Sequence, residues 1–291
     1  MRSLPSRRGT RKYAEGRVGE GCKDRRIEKL AYNRGVDRLA PCRRPVGERV
    51  VMYQKWRELL FLHWEVPAEL LENQLPPGLS LDTFEGRAYI GLVPFTMQGI
   101  RPPWAPAVPW LSHFHETNVR TYVHAAGRDP GVWFFSLDAA NPVAVWLART
   151  IWKLPYFTAK MRLATDEDGV RRYSTEREEK PSVGARVSWK PEGEPRAAAP
   201  GTLAHFLCER YFLYAWNGKR LLRGQVHHTP YPLQRAKLIQ YESTLVNEAG
   251  LPVTGAPPLV HYASGVDVEV FGLKPVNRAW RAVQAAGTKA P

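Results

Sequence analysis

Five side chains of mixed chemistry occupy every second position of one short stretch: Glu116, Asn118, Arg120, Tyr122 and His124. On a β-strand alternate side chains share a face, so this row presents a carboxylate, an amide, a guanidinium, a phenol and an imidazole to one side. The intervening Thr117, Val119, Thr121 and Val123 read as core. Such a row faces either water or a ligand, and its chemistry, beside the aromatic run GVWFFSLDA, points to a ligand. Glu116 and Arg120 stand roughly 13 Å apart along an extended strand, so they cannot pair directly and each needs another partner. Arg120 suits a substrate carboxylate because its fork meets both oxygens. Glu116 in an apolar cavity would have the raised pKa of a general acid.

His113 and His115 share a strand face at a spacing from which two imidazoles reach one metal. A metal-dependent enzyme built on His113 and His115 is one alternative, but it needs a third ligand from His227, His228 or His261. The expectation is no metal and no cofactor. In ARTIWKLPYFTAKM, Ala148 to Met161, Lys153 and Lys160 sit among apolar neighbours, where an ammonium is costly unless it finds a partner or sheds its proton. Either is therefore a candidate Schiff-base nucleophile. No GxSxG elbow and no Gly-rich phosphate loop occurs, and Cys208 in an apolar helix reads as a small buried hydrophobe.

The elements that must position these residues are mostly strands. Strand patterns begin near Trp56 and recur at Ala88 to Met97, along HETNVRTYVHA and GVWFFSLDA, then at Phe157 to Ala164, Val170 to Glu176 and Val183 to Lys190. Further ones lie near Gly224 to His228, Leu238 to Val246 and Tyr262 to Phe271. Asn141 and Pro142 start a helix running to about Trp152, and Thr202 caps a second to about Arg210. The proline-rich RPPWAPAVPWLSH reads as a long ordered loop. About nine strands and two or three short helices give an α+β, mostly β fold: a large curled antiparallel sheet or open barrel around a central cavity. The absence of β-α alternation argues against Rossmann and TIM-barrel folds.

Of 291 residues, 44% are hydrophobic and 11% aromatic, ample for a packed core. The net charge of +14 is concentrated in residues 1–50, which carry +9 and leave +5 for the body. That segment, rich in Arg and Gly, is expected to be a disordered basic arm, with Met52 as a candidate natural start. Residues 51–275 form the single expected domain and 276–291 a loose tail. No nucleic-acid partner is expected for the body, and no apolar run is long enough to span a membrane. Three cysteines provide no disulfide framework, so the expected compartment is cytoplasmic, with homo-oligomerisation left open.

The blocks FLHWEVPAELLENQLPPGLSLDTFEGRAYIGLVPFTM, HETNVRTYV, GVWFFSLDAANPVAVWLARTIWKLPYFTAKM, FLCERYFLY and RGQVHHTPYPLQRA resemble the bacterial YqjF-like family, domain of unknown function 2071. The likeness runs from Tyr53 to Gly272. That family is related to acetoacetate decarboxylase, which implies a curled antiparallel structure around a cavity and Schiff-base chemistry on a lysine activated by desolvation. In that enzyme a lysine pair follows an IWGFP-like turn. Here the turn is Ile151 to Pro155, and Tyr156 and Phe157 stand in the lysine positions. Lys160 shares a strand face with Tyr156 and is the substitute candidate, the alternative being a lysine that snorkels to the rim. Tyr156 instead offers a phenol to hydrogen-bond a ligand, and the resemblance makes Glu116 the counterpart of a pocket glutamate. The resulting candidates are Glu116, Arg120 and Lys160 as catalytic residues, with Asn118, Tyr122, Tyr156 and His113 binding ligand. The reading is a protein without the decarboxylase's Schiff-base lysine pair, and so not a classical acetoacetate decarboxylase, that binds or acts on a carbonyl compound or organic acid in a central cavity, as a lyase or isomerase, or as a non-catalytic binder.

Overall fold

The computed structural model describes residues 36–276. Thirteen strands occur among them: β1 (Val50–Val66), β2 (Ser80–Leu81), β3 (Ala88–Arg101), β4 (Phe114–Ala125), β5 (Arg128–Ala139), β6 (Tyr156–Thr165) and β7 (Arg171–Arg177). They continue with β8 (Gly184–Arg196), β9 (Phe212–Trp216), β10 (Leu221–His227), β11 (Leu233–Ser243), β12 (Leu259–Phe271) and β13 (Lys274–Pro275). Five short helices punctuate them: α1 (Ala68–Glu72), α2 (Pro109–Ser112), α3 (Pro142–Leu147), α4 (Leu203–Cys208) and α5 (Leu245–Glu248). No helix among the described residues is long and apolar enough to cross a membrane.

All thirteen strands join one large curled sheet, and the pairings β5–β4 and β10–β12 bring it back on itself. Strands β5, β4, β3, β1, β12, β10 and β9 thus pair in a closed cycle. Most ladders are antiparallel, as expected. β5 is the exception, pairing in parallel with both β6 and β9. The crossover through α3 leads to β6, and the longer path through β6–β8 and α4 leads to β9, since parallel neighbours need a long connection rather than a hairpin.

β1, β3 and β4 form a wall buried on both sides. Leu60, Leu62 and Trp64 of β1, Ala88, Ile90 and Leu92 of β3, and Val119 of β4 pack into the main core with Tyr173, Val187 and Trp189. The alternate residues Leu59 and Phe61, Val93 and Phe95, and Glu116, Asn118 and Arg120 line a cavity on the other side. This explains the apolar run Leu59–Leu62 of β1, because a stretch covered on both faces has no polar side to present. Each fully buried Leu or Phe of the core contributes about 1.5–3 kcal/mol.

One bulge sets what the wall shows. Between Arg57 and Leu62 the register of β1 against β3 slips by one residue, with Glu58 at φ 53°. The extra residue lets Trp56 and Leu59, three apart, both reach the cavity. Gly265 of β12, at φ 150°, lies opposite Arg57, and a Cβ there would fall 2.4 Å from the Trp56 carbonyl oxygen. Only glycine fits that approach.

Several boundaries differ from expectation. β1 spans 17 residues rather than a short strand, because it is paired along both edges. β2, β9 and β13 were not foreseen: two are two-residue strands, and the apolar β9 lacks the alternation that marks a half-buried strand. Leu245 and Val246, expected at a strand end, begin α5. Residues 36–50 of the expected disordered arm pack against the body: a 3₁₀ turn at Ala40–Cys42 buries Pro41, Arg38 pairs with Asp82, and Arg44 meets Glu269 at 2.6 Å. The remainder of that arm and the tail from residue 277 lie outside the described residues.

Candidate functional site

β4 carries the polar side of the cavity. Glu116 lies opposite Phe95 on β3 and Ala139 on β5, Asn118 opposite Val93 and Leu137, and Arg120 opposite Gly91 and Phe134. Its three polar side chains are therefore flanked by apolar or aromatic neighbours on both sides. The cavity measures about 360 Å³, and its lining is mostly apolar. Its other faces come from β1 through Trp56, Leu59 and Phe61, from β6 through Tyr156, and from the segment after α3 through Ile151 and Trp152. That segment is shaped locally: the Asn141 carboxamide caps α3 on Val143 and Ala144, and the helix widens into a π turn at Ala148–Trp152. Lys153 at φ 55° then ends it ahead of Pro155.

Glu116 is 2% exposed and accepts a hydrogen bond from the Tyr156 hydroxyl at 2.9 Å on Oε2. Burial pushes its pKa up to about 8, against the lowering effect of the Tyr156 bond, and nearby Asp138 raises it further. Near neutral pH this carboxyl group therefore holds its proton and can also release it. Its Oε1 has no hydrogen-bond partner among the described residues, and Asn118 Oδ1 is buried without a partner.

Arg120 is 8% exposed and forms no ion pair among the described residues. One guanidinium nitrogen donates to the Leu207 carbonyl at 3.1 Å, Nε has no partner, and the group sits over the rings of Phe61 and Tyr122. A buried cation without an anion is costly. His63 behind it is fully buried, and both its burial and Arg120 hold its pKa well below the usual histidine value. The neutral ring meets the Tyr122 hydroxyl at 2.6 Å. Gly91 leaves room for the imidazole, since a Cβ there would lie 3.0 Å from the His63 ring.

The other expected residues fall elsewhere. Tyr122 lies behind the cavity, donating to the Leu207 carbonyl at 2.8 Å, and burial pushes its pKa up to about 12. The row therefore faces the cavity only from Glu116 to Arg120, because deeper along β4 the packed His63 and α4 close it. His113 is exposed, its ring bonded to the Pro109 carbonyl, and His115 meets Thr96 Oγ1 at 3.0 Å. No group of three metal-ligating side chains occurs among the described residues. Lys160 is exposed and lines a separate surface depression with Glu176 and Arg186, because β6 leaves the cavity after Tyr156. No described lysine lines the cavity, and Lys153 is exposed outside it. Arg210, Tyr231 and the Trp56–Phe61 wall were missed by sequence reasoning. The dense aromatics of β1 were their one visible signal. Cys208 is buried, as expected.

A family model described as an uncharacterised conserved protein, domain of unknown function 2071, matches residues 53–267. The chain belongs to this family. The YqjF protein of Bacillus subtilis (strain 168), itself described as uncharacterised, is 35% identical over 224 residues, 77% of this chain and 92% of that protein. The likeness of this YqjF-like chain to solved structures reaches further in fold than in sequence. It resembles the enduracididine biosynthesis enzyme MppR complexed with pyruvate (TM-score 0.57, 13% identity, 79% of this chain and 91% of that one). It resembles acetoacetate decarboxylase of Legionella pneumophila to a similar degree (TM-score 0.56, 15% identity, 81% and 91%). The YqjF-like family member thus has the acetoacetate decarboxylase-like fold, with Tyr156 in the cavity where the sequence resemblance placed the decarboxylase lysine pair.

Proposed function

We propose that the cavity binds a small organic acid or carbonyl compound, with Arg120 pairing a carboxylate and Glu116 exchanging a proton with the carbon beside a carbonyl group. The observation that carries this reading is the buried Arg120 guanidinium without an anionic partner, on the same cavity-lining strand face as the half-ready Glu116 carboxyl. MppR, similar in fold, is complexed with pyruvate, a 2-oxo acid of the same chemistry. Ionised Glu116 takes the proton; protonated Glu116 returns one from solvent, and Tyr156 orients the group throughout. A Schiff-base route lacks a cavity lysine among the described residues. The same lack favours a second reading, a binder that holds its ligand without turnover.

Incubation with pyruvate and with 2-oxooctanoate in deuterium oxide, followed by proton NMR, separates the two. Enzyme-dependent loss of the C3 proton signal, abolished in Glu116→Gln while binding persists, supports proton exchange. Binding without exchange at any pH from 6 to 9 supports the binder. In either case borohydride should trap no adduct on Lys153 or Lys160.

A further inference from the structure

Polar groups in the cavity are not scattered. The buried ones gather on one strip of β4, Glu116, Asn118 and Arg120, and at Tyr156, Arg210, Tyr211 and Tyr231, while the half-buried Gln54 and Arg101 lie towards the ends of β1 and β3, Gln54 accepting from Trp56 Nε1 and Arg101 over the Tyr53 ring. The facing wall of Trp56, Leu59, Phe61, Phe95 and Met97 offers almost nothing to hydrogen-bond. Moving outward, Ile100, Leu111 and Ile151 continue the apolar lining beside Arg101, with Ile151 59% exposed at the mouth. Close in sequence to the lining residues Pro102, Leu111 and Leu147, the tryptophans Trp104, Trp110 and Trp146 are 85%, 68% and 63% exposed.

A molecule of three or four carbons would satisfy the polar strip and leave most of this wall against water. A cavity of about 360 Å³ with this lining is of the size that encloses a much larger ligand. Building on the organic-acid reading above, we infer that the natural occupant is an amphiphilic acid. Its carboxylate head sits at Arg120 and Asn118, and its alkyl or aryl tail runs past Trp56 and Phe95 to Ile100, Leu111 and Ile151. The unpartnered Asn118 Oδ1 accepts a hydrogen bond from a hydroxyl or protonated group beside the head. The apolar mouth leaves room for tails of more than one length.

The test is calorimetric titration of the full chain with straight-chain carboxylates from acetate to dodecanoate, and with the matching alcohols. Affinity should rise about fourfold for each methylene buried, as follows from apolar transfer, and then level off once the tail reaches the mouth. Alcohols of equal length should bind at least tenfold more weakly, and Arg120→Gln should erase that preference while alcohol binding, which also reports the fold, persists. Carboxylates that bind with no dependence on length would overturn the amphiphile and leave the organic-acid reading standing. Alcohols binding as well as acids, or no binding at any length, would overturn both.

Discussion

Tyr156 and Glu116, 40 residues apart in sequence, meet at 2.9 Å across β6 and β4, the phenol donating to a carboxyl that burial keeps protonated near neutral pH. The bond favours the ionised carboxylate, so removing it has a readable direction. Tyr156→Phe should lift the Glu116 pKa further above its value of about 8, and the buried bond lost should cost about 1 kcal/mol of stability. Infrared difference spectra of the carboxyl band against pH check the first, denaturant titration the second. A pKa that stays or falls would show that Tyr156 does not stabilise the anion.

Glu116 also gives the fold a pH dependence. Its pKa is raised from 4.5 unfolded to about 8 folded, so between those values the folded chain binds more protons. The stability from keeping Glu116 protonated is therefore fully present below about pH 4.5 and is lost as pH rises through about 8. His228, lowered to about 4 by burial, acts in the opposite sense: its stability is present above about 6.5 and lost as pH falls towards 4. Glu116→Gln, which mimics the protonated acid, should flatten the loss between pH 5 and 8 and leave the acid limb intact. Melting temperatures of both proteins across pH 4–9 decide it.

The proposed carboxylate-binding role of Arg120 implies a cost to the empty protein. Arg120→Met removes a buried charge with one neutral acceptor and no anion, so the ligand-free protein should become more stable by about 1 kcal/mol or more. It should also raise the His63 pKa, since Arg120 is one of the groups that lower it. Carboxylate binding should disappear in the same variant. A net loss of stability with carboxylate binding retained would show that Arg120 is a structural residue.

The segment before Met52 should matter to the body. Asp82 is clasped by Arg38 from one side and by Arg210 at 2.7 Å from the other, all three nearly buried. A chain beginning at Met52 leaves this carboxylate one cation short, a loss of about 2 kcal/mol for a hydrogen bond to a charged group. Comparison of that chain with one beginning at Val36 by chemical denaturation measures it. Equal midpoints would mean the contacts are dispensable.

What the sequence determined by itself was the local periodicity. The alternation at Glu116–His124 assigned the two faces of β4 because a strand's side chains must alternate, and Thr117, Val119, Thr121 and Val123 are indeed buried on the core side. Asn141 and Thr202 announced their helices because a cap acts within three residues. Tertiary structure decided where each row stops being useful. Tyr122 shares the face of Glu116 yet lies behind the cavity, because His63 and the Leu207 carbonyl from distant segments occupy its front. Lys160 shares the face of Tyr156 yet reaches solvent, because β6 leaves the cavity between them. The bulge at Glu58 and the pairing of Tyr156 with Glu116 depend on contacts between residues far apart in the chain. Spacing within one strand does not encode such contacts, since they follow from how the sheet closes rather than from any one strand's period.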